Sequence, residues 1–127
     1  AKIALEQKAQ GKRVMLFSGG ELTVTVADVY GDGGPNQEYL MALAEALNGE
    51  AGIYAIACDT DGVDGSKDVA GAYINSSTIA RAEAAGENLQ AQLQGHNSHQ
   101  FFKAIDDLII TGPTNTNVND FRVIVIE

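Results

Sequence analysis

Short apolar runs alternate in this chain with segments of helical periodicity, and this alternation predicts an α/β fold. The clearest helix carries apolar residues at the spacing of one helix face, namely Leu40, Leu43, Ala44 and Leu47. Asn36 is its predicted N-cap, and Asn48-Gly49 its predicted end. Shorter helices are predicted at 1–10, 76–85, 88–94 and 98–105, and strands at 14–17, 53–58, 71–74, 108–111 and 121–126.

A turn at Gly19-Gly20 separates the first strand from residues 22–29, which alternate apolar and polar side chains. This pattern predicts an antiparallel hairpin. The predicted fold is therefore a single α/β domain over residues 1–127, with a mixed β-sheet packed against helices. The leucine face of the 36–47 helix is expected to cover strands 14–17, 53–57 and 108–110, the last of them central.

The charge of the chain excludes two classes of partner. Its 127 residues carry a net charge of −9, and residues 14–127 hold four basic against sixteen acidic side chains. Nucleic acid and anionic membrane surfaces both require a basic face, so neither is an expected partner. No apolar run approaches the roughly 20 residues of a membrane span. The first six residues lack an apolar signal core, which predicts a cytoplasmic protein, and the start inside a helix without Met predicts a piece of a longer one.

Several common catalytic motifs are absent from the sequence. There is no phosphate-binding GxxxxGK[ST] loop, and Gly31-x-Gly33 lacks the third glycine of a dinucleotide fingerprint. His96 and His99 are interpreted as surface residues, because no further zinc ligands accompany them. Cys58 lies in an apolar run and is predicted to be a small core residue.

The loop that follows strand 53–58 concentrates negative charge. Asp59, Asp61 and Asp64 fall within six residues, and carboxylates are the ligands that Mg²⁺ takes together with substrate phosphates. A calcium loop is excluded, because Val63 and Ala70 stand where oxygen ligands would be needed. An equally weighted alternative is that the carboxylates accept hydrogen bonds from backbone amides of a tight turn.

Three polar loops could cradle an anion with backbone amides and small side chains: 18–21, 33–38 and 111–117. Taken singly, each is more typical of an ordinary turn. Their number in a short chain favours a binding role.

These loops carry a resemblance to a known family. GGE with TVTV (19–26), NQE (36–38), DTDGVDG (59–65), AGA (70–72) and TGPTNTNVND (111–120) occur in one order. The chain resembles the MOFRL domain, the C-terminal part of glycerate 2-kinases, which are often labelled hydroxypyruvate reductases. The resemblance implies a Rossmann-like N-terminal domain as partner in the same polypeptide, with the active site in the cleft between the domains. It also implies glycerate as substrate and ATP and Mg²⁺ as cofactors of the longer protein, with none tightly bound to this chain.

The candidate site follows from these loops. Asp61 and Asp64 are the candidate catalytic residues, and Asp59 and Asp61 the candidate metal ligands. The candidate substrate or phosphate ligands lie in four segments: Gly19, Gly20 and Glu21; Asn36, Gln37 and Glu38; Thr60 and Gly62; and Thr111, Gly112, Thr114, Asn117 and Asn119.

The chain departs from the family pattern at two places in these loops. Pro35 stands where the family commonly has Arg, which removes an expected phosphate contact, and Asn115 stands where it commonly has Gly. The stretch 97–102 is a looser version of the family's NDS-x-x-FF pattern. Two other functions stay open, an NAD(P)H-dependent hydroxypyruvate reductase domain and a stand-alone ligand-binding domain. Self-association to a homo-oligomer is also left open.

Overall fold

The computed structural model describes residues 1–25 and 31–127. Their strands form one five-stranded sheet in the order β1-β5-β2-β3-β4. The strands are β1 (Val14–Ser18), β2 (Ile53–Asp59), β3 (Gly71–Ile74), β4 (Leu108–Ile109) and β5 (Asp120–Ile126). The helices are α1 (Lys2–Ala9), α2 (Pro35–Leu47), α3 (Thr78–Ala84), α4 (Leu89–Gln94) and α5 (Ser98–Ala104).

The direction of the strands corrects one part of the prediction. The α/β class with helices on the sheet is confirmed, but every strand pair among the described residues is antiparallel, whereas a mixed sheet was expected. The reason lies in β5. Strands β1 and β2, which α2 connects, run in the same direction, but β5 lies between them and pairs with both in the opposite direction. The parallel neighbours that a helical crossover usually produces are thus separated.

Two strand predictions are wrong. Leu22–Thr25 is not a strand, and the partner of β1 is β5 rather than this segment. The rest of the predicted hairpin strand falls on residues 26–30, outside the described residues. The run 108–111 forms only the two-residue β4, which lies at the sheet edge instead of the centre, and Ile110 after it is 71% exposed.

The core lies between α2 and one face of the sheet. Leu40, Leu43 and Leu47 are buried, as their spacing predicts. They pack with Ile53, Ala55 and Ala57 of β2 and with Ala72 and Ile74 of β3. The alanines bring helix and sheet close together, and the edge strands contribute only partly buried residues such as Leu16 and Leu108. The expected packing face is confirmed, with its centre on β2 and β3.

Helix α2 begins two residues earlier than predicted. Gly34 is the N-cap and Pro35 is the first helical residue, so the cap is not Asn36. Proline is favoured at this position because the N–H that it lacks would have no partner within the helix. The predicted end is confirmed, since Asn48 adopts a left-handed conformation with φ 46°.

Membrane crossing requires a long apolar helix, and none of the helices in residues 1–25 and 31–127 has that character.

Truncation of Leu40 tests the central position of α2. Because Leu40 is fully buried, Leu40→Ala is expected to lower the free energy of unfolding by about 2–5 kcal/mol. Met15→Ala is the matched control, since Met15 is 61% exposed, and should change it by less than about 0.5 kcal/mol. Urea denaturation followed by circular dichroism measures both, and equal losses would contradict this description of the core.

Candidate functional site

Four polar segments meet at one end of the sheet and form what we call the loop cluster: residues 18–22, 33–36, 59–66 and 111–120. Backbone hydrogen bonds join them. The Thr60 N–H donates to Asn119 O at 3.1 Å, the Asp120 N–H to Gly20 O at 2.8 Å, and the Ser66 N–H to Gly33 O at 3.1 Å. The structure therefore brings together the loops that the sequence indicates as candidates.

Asp64 lies at the centre of the loop cluster and is only 1% exposed. Its Oδ1 accepts hydrogen bonds from the Asn36 N–H at 3.0 Å and from Asn36 Nδ2 at 3.2 Å. Its Oδ2 accepts from the Gln37 N–H at 2.9 Å and from Gln37 Nε2 at 3.0 Å. The carboxylate thus binds the first free amides of α2, where the helix dipole favours negative charge.

The same helix end connects Asp64 to a second buried acid. Asn36 Nδ2 also donates to Asp120 Oδ1 at 2.6 Å. Asp120 Oδ2 accepts from Arg122 Nη1 at 2.9 Å and from the Leu22 N–H at 2.6 Å. Arg122 Nη2 in turn donates to Gly19 O at 2.5 Å. We call this chain of contacts, Asp64–Asn36–Asp120–Arg122, the buried polar network.

The buried polar network occupies the polar groups at the start of α2. Asn36 and Gln37 were candidates for phosphate binding, but both are buried and their amides already bond to Asp64. The Glu38 N–H donates to Gly34 O at 3.0 Å. These contacts favour a role for Asn36, Gln37 and Asp64 in holding the loops, and leave direct contact with a ligand to other residues.

Two carboxyl groups of the cluster titrate above their ordinary range. Burial raises the pKa of Asp64, outweighing the hydrogen bonds that stabilise its charged form. The pKa of Asp59 is also raised, first by burial and further by the negative charges of Asp61 and Asp120. Asp59 and Asp120 are directly opposed in the β2–β5 register. This end of the sheet consequently favours an added positive charge.

The exposed side of the loop cluster is formed by the 59–62 turn against the 111–119 loop. Thr114 Oγ1 donates to Thr60 O at 2.5 Å, and Thr60 Oγ1 donates to Asn119 O at 2.8 Å. Asn117 Nδ2 donates to Asp61 Oδ2 at 3.3 Å. Thr111 and Gly112 begin the same loop, where the Thr111 hydroxyl donates to Gly112 O at 2.8 Å. Hydroxyl, amide and carboxylate groups thus share one accessible surface.

The backbone explains the residue type at two positions of this surface, through close packing at Gly62 and a left-handed conformation at Asn115. A Cβ on Gly62 would lie 2.3 Å from Gly112 O, so only glycine fits where the two loops touch. Asn115, at the position where the resembled family commonly has Gly, has φ 59°. Asparagine is one of the few other residues that adopts this left-handed conformation readily. The departure at Asn115 therefore preserves the loop.

Asp59 and Asp61 are the candidate metal ligands, and both take part in turn formation. Asp59 Oδ1 accepts from the Asp61 N–H at 3.1 Å, and Asp61 Oδ1 accepts from the Val63 N–H at 2.8 Å. Across the described ranges, no group of three or more His, Cys, Asp or Glu side chains is placed to hold a metal ion. The pair offers hard oxygen donors for a cation whose other ligands come from elsewhere.

The remaining candidates lie around this surface. Gly19, Gly20 and Glu21 are exposed at its margin, beside the network's contact at Gly19 O. The carboxylate of Glu38 contacts Nδ1 of His96, outside the loop cluster, at 2.9 Å. His96 is therefore half-buried and paired, which its interpretation as a surface residue did not foresee.

Sequence reasoning also missed Arg122 as a residue that organises the site. Along β5, Asp120 and Arg122 share the core-facing side with Ile124 and Ile126, and both charged residues are less than 9% exposed. Buried charges are rare unless they are paired. The available sign of this ion pair was Arg122 on the apolar side of the predicted strand 121–126, with the opposite charge of Asp120 two residues before it.

Cys58 is half-buried on β2, and not part of the core beneath α2. It lies opposite Phe121 in the β2–β5 register. Burial raises the pKa of its thiol to about 11, and the negative charge of Asp64 adds to the effect. The thiol therefore stays protonated at neutral pH, which does not suit a nucleophile.

The MOFRL family model matches residues 14–120. The chain belongs to the MOFRL family. A relative from Agrobacterium vitis that carries a provisional hydroxypyruvate reductase name is 48% identical over 99% of this chain and 34% of its own length. A glycerate 2-kinase from Pyrococcus horikoshii is 36% identical over 89% of this chain and 26% of its own length. This MOFRL chain thus spans about a third or less of the curated relatives that it matches.

A solved structure has the same MOFRL fold. The crystal structure of a glycerate kinase from Thermotoga maritima matches with a TM-score of 0.94 and 38% identity, over 99% of this chain and 31% of that one. The backbone arrangement of the helices and the sheet is therefore that of the matching segment of the Thermotoga maritima protein.

Removing the charge of Asp64 tests its structural contacts. Asp64→Asn replaces one acceptor oxygen with an NH₂ group that faces N–H donors, so we expect a loss of about 1–3 kcal/mol in the free energy of unfolding. Asp68→Asn, at an exposed position of the same region, is the matched control and should be nearly neutral. Thermal denaturation of both variants gives the comparison. Equal melting temperatures would show that Asp64 does not hold α2.

Reactivity of the single thiol tests the environment of Cys58. With a pKa of about 11, only about 10⁻³ of the thiol is ionised at pH 8. The folded protein should therefore react with Ellman's reagent about 10²-fold more slowly than the urea-unfolded protein, since the thiolate is the reactive form. Raising the pH towards 10 should accelerate the folded reaction. A folded rate equal to the unfolded one would contradict the raised pKa.

Proposed function

We propose that this chain is the C-terminal domain of a two-domain glycerate 2-kinase, which transfers the γ-phosphoryl group of ATP to the 2-hydroxyl of glycerate. The observation that carries the proposal is the likeness to the Thermotoga maritima glycerate kinase, at a TM-score of 0.94 over 99% of this chain. The active site then lies in a cleft between the loop cluster and an N-terminal Rossmann-like domain of the same polypeptide.

The charge distribution supports a reaction in which a second domain supplies the positive charge. Phosphoryl transfer needs positive charge against the charge that develops on the phosphate oxygens. Residues 14–127 carry only four basic side chains against sixteen acidic ones. Of these four, Arg122 is committed to Asp120, and Arg81 contacts Asp107. The cationic groups of the reaction would therefore come mainly from the other domain.

In this proposal the exposed side of the loop cluster faces the nucleotide and the metal. Asn117 has a second amide N–H to offer to a phosphate oxygen. The hydroxyl protons of Thr60 and Thr114 already bond within the loops and fix their shape. Asp59 and Asp61 would hold Mg²⁺ together with phosphate oxygens, and the ion would supply charge neutralisation. The raised pKa of Asp59 supports a site that gains from a nearby cation. The buried polar network keeps the loops in place behind this surface.

A hydroxypyruvate reductase is the second candidate. Two relatives from Agrobacterium vitis, 48% and 49% identical to this chain, carry that provisional name. A reductase would need a nicotinamide cofactor, for which this sequence holds no complete fingerprint. Two assays separate the candidates: ATP-dependent phosphorylation of glycerate, and NAD(P)H oxidation with hydroxypyruvate. Each should be run on the isolated chain and on the polypeptide that also carries the N-terminal domain.

The decisive variant is Asp61→Asn in that longer polypeptide. If Asp61 helps to position the metal or the phosphoryl group, the variant should lower kcat for ATP-dependent phosphorylation by about 10²-fold. Its melting temperature should change little, because asparagine keeps a side-chain oxygen that can accept the hydrogen bond from the Val63 N–H. Asp68→Asn is the matched control and should keep full activity.

Three outcomes would count against the kinase proposal. Turnover by the isolated chain would remove the need for a second domain. A fall in melting temperature with an unchanged rate would reduce Asp61 to a turn residue. NADPH-linked reduction without ATP-linked activity would establish the reductase instead.

A further inference from the structure

A small cleft lies beside the loop cluster, on the other side of the turn that precedes α2. Its volume is about 170 Å³, and its lining includes Gly33, Gly34, Ser66, Glu38 and His96. Pockets that hold drug-sized ligands commonly measure about 300–1,000 Å³. A cleft of this size suits a molecule of a few carbon atoms.

The walls of the cleft are held together by backbone contacts. The Gly31 N–H donates to Gly95 O at 2.8 Å, and the Asp32 N–H donates to Asn97 Oδ1 at 3.2 Å. A Cβ on Gly33 would lie 2.1 Å from Ser98 Oγ, so glycine alone allows this approach of the turn to α5. The turn before α2 and the loop between α4 and α5 therefore form one rigid unit.

His96 is fixed in this unit by Glu38. Its Nδ1 lies 3.0 Å from Glu38 Oε1 and 2.9 Å from Oε2. An ionised carboxylate only accepts hydrogen bonds, so Nδ1 carries the proton, and in the neutral imidazole Nε2 keeps a free electron pair. The two side chains are only 19% and 21% exposed. The backbone of His96 is also held at φ 49°, a conformation uncommon for a residue other than glycine.

This arrangement is that of a general base oriented by a carboxylate. Resting on the proposed function, we propose that His96 accepts the proton of the glycerate 2-hydroxyl in this cleft, with Glu38 as its positioning residue. The O–H bond breaks and its proton passes to Nε2. The hydroxyl oxygen forms a bond to the γ-phosphorus of the nucleoside triphosphate, and the bond to the β,γ-bridging oxygen breaks. The nucleoside diphosphate leaves with that electron pair.

The position of the cleft would place the small substrate next to the phosphates bound at the loop cluster. Ser66 ends the 59–66 segment of the loop cluster and also lines the cleft. Its hydroxyl accepts a hydrogen bond from the Gly33 N–H at 3.2 Å. The small substrate and the phosphates would thus occupy neighbouring faces of one turn. Among the described residues that line the cleft, Glu38 and His96 carry the titratable side chains. Asp32 and Lys67, each next in sequence to a lining residue, form an ion pair at 2.9 Å.

The test compares variants of the longer polypeptide in ATP-dependent phosphorylation of D-glycerate. His96→Gln should lower kcat by about 10²-fold while KM changes little, since a general base acts in the transition state. Glu38→Gln keeps a polar group at the same place and should lower kcat by about tenfold.

The matched control is His99→Gln, because His99 is not among the lining residues of the cleft; it should keep the wild-type kcat and KM. Melting temperatures accompany all three variants. If His96 only ties α2 to the loop after α4, His96→Gln will lower the melting temperature and leave kcat unchanged. That result would overturn the proposal.

A second measurement does not depend on turnover. In the longer polypeptide, ¹⁵N-detected imidazole spectra should show a protonated Nδ1 and an unprotonated Nε2 in His96, and D-glycerate should shift these signals more than inorganic phosphate does. If the longer polypeptide fails to phosphorylate glycerate but the shift occurs, the proposed function fails and the cleft stands as a site for a small hydroxy acid. An Nε2-protonated tautomer, or no response to glycerate, would overturn the assignment of His96.

Discussion

The loop cluster depends on one buried carboxylate. Both carboxylate oxygens of Asp64 accept hydrogen bonds from the first amides of α2. The side chain of Asn36 also donates a hydrogen bond to Asp120 and so connects the two acids. An unpaired charge at this depth would be costly, but here it meets the positive end of a thirteen-residue helix. The positions of α2, of the 59–66 loop and of the first residue of β5 therefore depend on the single side chain of Asp64. A ligand surface made of loops gains from such coupling, because its donors are already oriented before a ligand arrives.

Local pattern predicted most of the elements but not their arrangement. The spacing of Leu40, Leu43 and Leu47 identified α2 and its buried face, and short apolar runs identified β2, β3 and β5. Strand order depends on contacts between distant residues, which local periodicity does not encode. The pairing of β5 with β1 and the edge position of β4 could therefore not be predicted from the sequence. The hairpin prediction followed from two glycines that make a turn whether or not a partner strand comes next.

The candidate site was predicted as a set of loops more successfully than as a set of roles. Residues with turn chemistry cluster in space, because the same end of the sheet receives the 59–66 and 111–120 segments. The assignment of Asn36 and Gln37 to a ligand overlooked that a carboxylate elsewhere in the chain can occupy a helix N-terminus. His96 was similarly undervalued, since its partner Glu38 is distant in sequence. The sequence shows which polar side chains a loop contains. Their hydrogen-bond partners in the folded protein decide which of these side chains can still bind a ligand.

The insertion of β5 between β1 and β2 has a consequence for how the chain folds. Residues 120–126 join strands that begin more than sixty positions earlier. Until β5 is available, β1 has no neighbour among the described strands, and β2 can form a ladder only with β3. Contacts of such long sequence separation slow folding, because the loop must close before the pairing stabilises it. During synthesis the sheet is therefore completed only after its last strand has left the ribosome, when Asp120 and Arg122 reach the buried polar network in the same event.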